Sequence, residues 1–145
     1  SDPDPYRFVG KEATVGQNVV STLIFPSYAH AKFGLDQRAG VARVVYYLKE
    51  NENNLYDLYR ADALPPFPEE LESCSDPVLC RDMSGFDVLY KDSNGDEYKY
   101  WDSEDETFKY TFPASIDFKM TFGPGEEKRV FKISIGLVAG REPIE

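Results

Sequence analysis

Two stretches near the end of the chain, Ile116 to Phe122 and Arg129 to Leu137, alternate apolar and polar side chains residue by residue, with Gly123-Pro124-Gly125 between them. A period of two places every second side chain on one face of a pleated strand, and a helix cannot satisfy it. In the second stretch Phe131, Ile133, Ile135 and Leu137 are in phase, so the pair is predicted to be an antiparallel hairpin whose apolar faces enter the core. The same period recurs upstream. Val19, Ser21, Leu23 and Phe25 share one face of the segment 18–25, with Val20, Thr22 and Ile24 on the other, a pattern for a strand covered on both sides that Pro26 is expected to end. From Val41 to Lys49 the set Ala42, Val44, Tyr46 and Leu48 is apolar, Arg43 and Lys49 lie opposite, and Leu55 to Arg60 follows a short Asn/Glu loop as the return strand. Ten Tyr and ten Phe suit such half-buried surfaces. The fold class is therefore mainly β, antiparallel and built from hairpins, in one domain over residues 1–145, a length that supports a single core.

The central hairpin around Asn94-Gly95 admits two registers, and loop length decides which side chains face inward. A two-residue loop would set Asp92 opposite Glu97, two like charges. A three-residue loop Ser93-Asn94-Gly95, with Gly95 left-handed, pairs Lys91 with Glu97, Tyr90 with Tyr98 and Val88 with Tyr100. It gathers Phe86, Val88, Tyr90, Tyr98 and Tyr100 on one face and sets Trp101 on the other beside Leu89; this register is predicted. Between the second and central hairpins, residues 63–83 carry Pro65, Pro66, Pro68 and Pro77, so a long loop is expected there, with one helical turn at Glu69-Glu70-Leu71-Glu72.

Charge narrows the partners. The net charge of −10 opposes binding to phosphate backbones, where affinity comes from Lys and Arg, so nucleic acid is not expected. No run approaches the roughly 20 apolar residues of a bilayer span. Ser1-Asp2-Pro3-Asp4-Pro5, with no methionine, reads as the start of a piece cut from a longer protein rather than as a signal peptide. Cys74 and Cys80, with Ser75, Asp76 and Pro77 between them, are spaced for a small disulfide loop. That bridge is the expectation and would imply an oxidising compartment, with two free buried thiols or a redox or metal role as the alternatives. Zinc is disfavoured because the remaining soft ligand is His30.

Candidate chemistry is sparse. Asp92, Asn94 and Asp96 present the hard oxygens a calcium loop uses, and are the weak metal candidates. The spacing fails, since placing Gly95 sixth puts Tyr90 first and Trp101 twelfth, where an EF-hand needs Asp and Glu. The acidic run 102–106 reads as solvated surface. His30 has no second histidine and no serine elbow near it, and reads as a loop histidine. With 26 Asp and Glu, chance carboxylate pairs carry no information about glycoside chemistry. Trp101 reads as a packing anchor before a sugar platform. No catalytic residue and no cofactor is expected.

In order along the chain, Phe8-Val9-Gly10, Leu23-Ile24-Phe25, Gly40 to Leu48, Leu58-Tyr59-Arg60, Phe86 to Tyr90, Trp101 and Phe112-Pro113-Ala114-Ser115-Ile116 resemble the periplasmic domain of J-type minor pseudopilins of type II secretion systems. The family pattern runs from an L-x-F strand through R-V-x-Y-x-L and L-x-R to a hairpin with Trp and then L-P-x-x-I/V; here Phe112 stands where leucine is usual. The resemblance implies an upstream transmembrane helix, absent from residues 1–145, with which the domain becomes α+β. It also implies anchorage at the periplasmic face of a bacterial inner membrane. It further implies a structural role without catalysis, in a pseudopilus tip with I-type and K-type minor pseudopilins, supporting protein export across the outer membrane. Removal of that helix is expected to expose an apolar patch on the first strands. The alternatives are a minor prepilin of a type IV pilus and an extracytoplasmic carbohydrate- or ion-binding β domain.

Overall fold

A computed structural model describes residues 6–27 and 41–137. Its elements are β1 (Val9–Val15), β2 (Asn18–Ser27), β3 (Ala42–Glu50), β4 (Tyr56–Ala63), β5 (Val78–Lys91), β6 (Glu97–Tyr98), β7 (Trp101–Asp102), β8 (Ser115–Phe122) and β9 (Arg129–Gly136), with 3-10 turns at Glu106–Phe108 and Gly125–Glu127. All belong to one antiparallel sheet in the order β7-β1-β2-β3-β4-β5-β8-β9, with β6 pairing the tip of β5. The mainly β, hairpin-built class read from the period of two is the class found.

The sheet curls. Ser21 on β2 accepts a hydrogen bond from the Val88 amide of β5 at 3.1 Å, although two strands separate them in the sheet order. Inside the curl lies the main core, with Phe8, Leu23, Leu48, Met83, Tyr90 and Trp101 among its buried members. The opposite face of β3 carries Val45 and Tyr47, which with Ala61 form a smaller cluster packed against Tyr59 and Leu71. Both faces of β3 are thus buried. The alternation Ala42, Val44, Tyr46, Leu48 marked only the inner one.

Two of the hairpins form where expected: Tyr46 lies opposite Arg60 between β3 and β4, and Ile116 opposite Ile135 between β8 and β9. At the central turn Tyr90 pairs with Tyr98 and Lys91 with Glu97; the Gly95 amide donates to the Asp92 carbonyl at 3.1 Å, and Gly95 has φ +84°. This is the three-residue loop.

Other features differ, each for a visible reason. Val88 does not pair with Tyr100, because β6 stops at Tyr98 and the chain bends so that Trp101 reaches Gly10 of β1. There Trp101 is buried, stacked on Phe108 at 4.3 Å and edge-on to Tyr98 at 5.8 Å, and its Nε1 donates to the Thr111 carbonyl at 2.8 Å. Burying an indole against two rings outweighs two more hairpin residues, so Tyr100 is left exposed and Trp101 joins the core rather than the far face. Pro26 does not end β2: it pairs with Arg43, and Ser27 with Ala42. The ladder to β1 ends at Ile24, which leaves β2 paired on one side only, where a residue without an N–H is tolerated. Residues 69–72 form no helical turn, and β5 begins at Val78, earlier than the loop was drawn. His30 lies outside the described residues.

The predicted disulfide is not formed. Cys74 and Cys80 are free, Cys74 exposed and Cys80 half-buried. Cys80 is paired with Leu58 and packs against the inner core, while Cys74 lines a groove with Val45 and Ala61 on the outer face. Short spacing along the chain does not help two thiols directed to opposite faces of a sheet. The inference of an oxidising compartment falls with the bridge.

Candidate functional site

The curl does not close. Between β2 and β3 on one side and β8 and β9 on the other lies an open groove of about 340 Å³ with almost no polar lining. Its floor includes Phe86 stacked on Phe118 at 6.1 Å, and one wall includes Phe25 stacked on Tyr46 at 5.5 Å. The other wall is β9, whose alternation presents Ile133 and Ile135 to the groove. These strands form for the reason read from the sequence, but among the described residues nothing lies over the last of them. Phe131 is 52% exposed, Ile133 47% and Ile135 45%. Singly exposed apolar residues are ordinary, whereas a contiguous row flanking a groove is the signature of a surface that another element covers.

Two expectations are corrected here. The phase of Phe131, Ile133 and Ile135 was read as core, and these residues are half-exposed instead. Period alone reports that one face is apolar, not that anything lies against it. The apolar patch was assigned to the first strands, and Leu23, Phe25 and Tyr46 do line the groove, but its most exposed apolar residues, Ile133 and Ile135, belong to β9.

The weak metal candidates do not converge. Asp92 Oδ1 accepts from the backbone amides of Asn94 at 2.9 Å and Asp96 at 3.0 Å, and Tyr98 donates its hydroxyl to Oδ2 at 3.3 Å. These bonds hold the turn, while Asn94 and Asp96 are exposed. Among the described residues no group of three or more His, Cys, Asp or Glu is placed to share an ion. A polar hollow of about 550 Å³ beside the β3–β4 turn is lined by Glu50, Asp57 and Asp82, and its chemistry is already committed. Asp57 accepts from the Asn51 side-chain amide at 3.0 Å and the Asp82 backbone amide at 3.1 Å, and faces Arg81 at 3.4 Å. That network pins β4 to β5.

The outer face carries a second groove, about 570 Å³, beneath the Pro-rich loop. Tyr47 donates its hydroxyl to Asp76, and Arg43 lies 4.9 Å from the Phe67 ring, so the loop is strapped onto the sheet. Burial, then the hydrogen bond to Asp76, hold the Tyr47 phenol above the usual tyrosine range. The 102–106 run is likewise structural. Asp102 takes Arg7 Nη2 at 2.8 Å, and Asp105 caps the first 3-10 turn by accepting from the Thr107 amide. Burial alone would raise the Asp102 carboxyl, but hydrogen bonds from Arg7 and the Glu104 amide outweigh it and hold it below the usual range. Beside this clamp the Phe8 amide donates to Ser103 Oγ at 2.8 Å, and the Ser103 amide to the Phe8 carbonyl at 2.9 Å. These bonds latch the N-terminal end of β1 to β7.

Among the described residues no helix is long and apolar enough to cross a membrane. Comparison of the chain with protein families, with curated proteins and with solved structures finds no match. Among the described residues, the apolar groove is the feature that departs furthest from a self-sufficient fold.

Proposed function

We propose that this chain is a structural assembly subunit, the periplasmic domain of a J-type minor pseudopilin of a type II secretion system. In that role an upstream apolar helix, outside residues 1–145, seats in the groove between β2–β3 and β8–β9 and anchors the domain at the periplasmic face of the inner membrane. I-type and K-type minor pseudopilins are then its partners at the pseudopilus tip, and no catalysis is assigned to it. The observation that carries the reading is the open, apolar groove. It agrees with the ordered resemblance from Phe8-Val9-Gly10 to Phe112-Pro113, which names a domain normally packed beside a helix. Covering Phe131, Ile133 and Ile135, each about half exposed, would stabilise by about 3 kcal/mol at roughly 1 kcal/mol apiece. That is enough to fix a helix of 10–12 Å diameter already tethered to the domain.

The residues encoded upstream of Ser1 test the proposal. A short basic leader, a Gly-Phe type junction, a glutamate shortly after it and about 20 apolar residues are expected. A leader ending in small residues, followed by no apolar helix, overturns it. Co-expression with I-type and K-type minor pseudopilins is expected to give a stable complex, weakened by Ile133→Glu.

A further inference from the structure

We propose that the free edge of β9 is a strand-pairing site that takes an extended segment of another protein whose side chains alternate between apolar and acidic. Among the described residues β9 closes one end of the sheet order and pairs only with β8, through an unbroken ladder from Ser115 opposite Gly136 to Phe122 opposite Arg129. All eight of its residues are exposed. At about 3.3 Å per residue this leaves roughly 26 Å of unpaired backbone donors and acceptors. Natural sheets blunt such edges with a bulge, a proline, a charged side chain, a covering segment or a very short strand, and of these β9 has the charges of Arg129 and Lys132. β9 has neither proline nor bulge, whereas β7 at the other end of the sheet order is two residues long.

Charge selects the occupant. On the face opposite Phe131, Ile133 and Ile135, Lys132 lies directly opposite Lys119; Lys119 has Asp87 of β5 across from it on its other side, whereas Lys132, on the outer strand, faces no carboxylate among the described residues. Two like charges facing each other across strands destabilise, in a chain with 26 acidic residues available to neutralise them. An acidic side chain on an added strand would sit about 5 Å from Lys132 and relieve that repulsion. Apolar side chains on alternate positions would extend the row of Phe131, Ile133 and Ile135. A second copy of this chain fits poorly. Two antiparallel β9 strands at fullest overlap place Lys132 opposite its own copy or diagonal to it, so the lysine that invites an acidic strand also turns away self-pairing. Among the described residues the edge backbone is open whether or not a helix covers the groove, so the inference stands apart from the assembly reading.

The test uses the isolated domain and two blocked peptides of about eight residues, one alternating valine with glutamate and one alternating valine with lysine. Amide chemical shifts are followed by NMR. The glutamate peptide is expected to shift the amides of 129–136 saturably and slow their hydrogen exchange, to bind at least about tenfold tighter than the lysine peptide, and to weaken with salt. Lys132→Glu is exposed and should fold normally while reversing the preference; Lys119→Glu should do the same more weakly. Equal affinity for the two peptides, no shift at millimolar peptide, shifts confined to the groove, or a β9-mediated dimer in sedimentation would each overturn the proposal.

Discussion

Gly10→Ala is the smallest substitution that should disrupt this fold. A Cβ at position 10 would lie 1.9 Å from Tyr90 Oη, 2.0 Å from Cζ and 2.6 Å from Cε2. Tyr90 is fully buried and its ring is held edge-on to Phe8 at 6.0 Å, so it cannot withdraw without moving the core. Inserting one methyl into a packed core costs about 1–3 kcal/mol when neighbours can adjust. Here β1 must also keep its ladder to β2 and its pairing with Trp101, so the cost should reach about 3 kcal/mol or more, a large fraction of a small domain's stability. The same contact gives an opposite expectation for its partner. The Tyr90 hydroxyl is buried without a hydrogen-bond partner among the described residues, and an unpaired buried polar group costs about 1–3 kcal/mol. Tyr90→Phe should therefore leave stability unchanged or raise it by about 1 kcal/mol. Because Cζ is as close as the oxygen, Tyr90→Phe should not rescue Gly10→Ala, whereas Tyr90→Leu should recover part of the loss relative to the sum of the single changes. Urea unfolding read by the fluorescence of Trp101 measures all of these. A Gly10→Ala protein within about 0.5 kcal/mol of the parent would refute the close-contact reasoning. A Tyr90→Phe protein that loses more than about 1 kcal/mol would show that the hydroxyl has a partner.

Tyr47 and Tyr90 are both held above the usual tyrosine range, chiefly by burial. The unfolded chain releases those protons first, so stability should be flat below about pH 10 and fall above it, less steeply in Tyr90→Phe. In acid the sign reverses. Asp117 is held low by hydrogen bonds from Ser134 and Lys91, and Asp102 is also held low, so both stabilise above the ordinary carboxylate range and lose that contribution as pH falls through their depressed values. Ser134→Ala should shift the acid midpoint of unfolding upward. Asp57→Ala removes the acceptor for the Asp82 amide and the Asn51 side chain, and should cost about 1–3 kcal/mol in thermal or urea unfolding. Under native, non-reducing conditions a thiol reagent should modify Cys74 quickly and Cys80 slowly, and a protein that yields no thiol until reduced would contradict the placement of these residues on opposite faces.

The strands were legible because the period of two is a local property that neighbouring residues state together. The hairpin register at Gly95 was legible as well, since charge pairing and a left-handed glycine leave one loop length. What escaped depended on contacts between distant segments. Nothing local to Tyr100 says that Trp101 will leave the hairpin for Gly10, and nothing near Cys74 says that its loop folds onto Tyr47 while Cys80 turns inward. The groove was half legible: the apolar phase of β9 is plain in the sequence, but its lack of cover is a property of the whole sheet.

The latch between β1 and β7 orders events in time. Most strand pairings join neighbours along the chain and can form early as hairpins, whereas Phe8 and Ser103 are 95 residues apart. Contacts across such a span form late, because the entropy of closing the intervening chain is lost before they contribute. The meander β1 to β5 therefore forms first and the curl shuts last. The reverse step is one partial opening of the native sheet: β7 lifts from β1, Gly10 and Trp101 lose their pairing, and β3–β4 stays intact. Hydrogen exchange at Gly10, Trp101 and Ser103 should then run ahead of exchange at Val45 and Tyr47 under conditions where the domain as a whole remains folded.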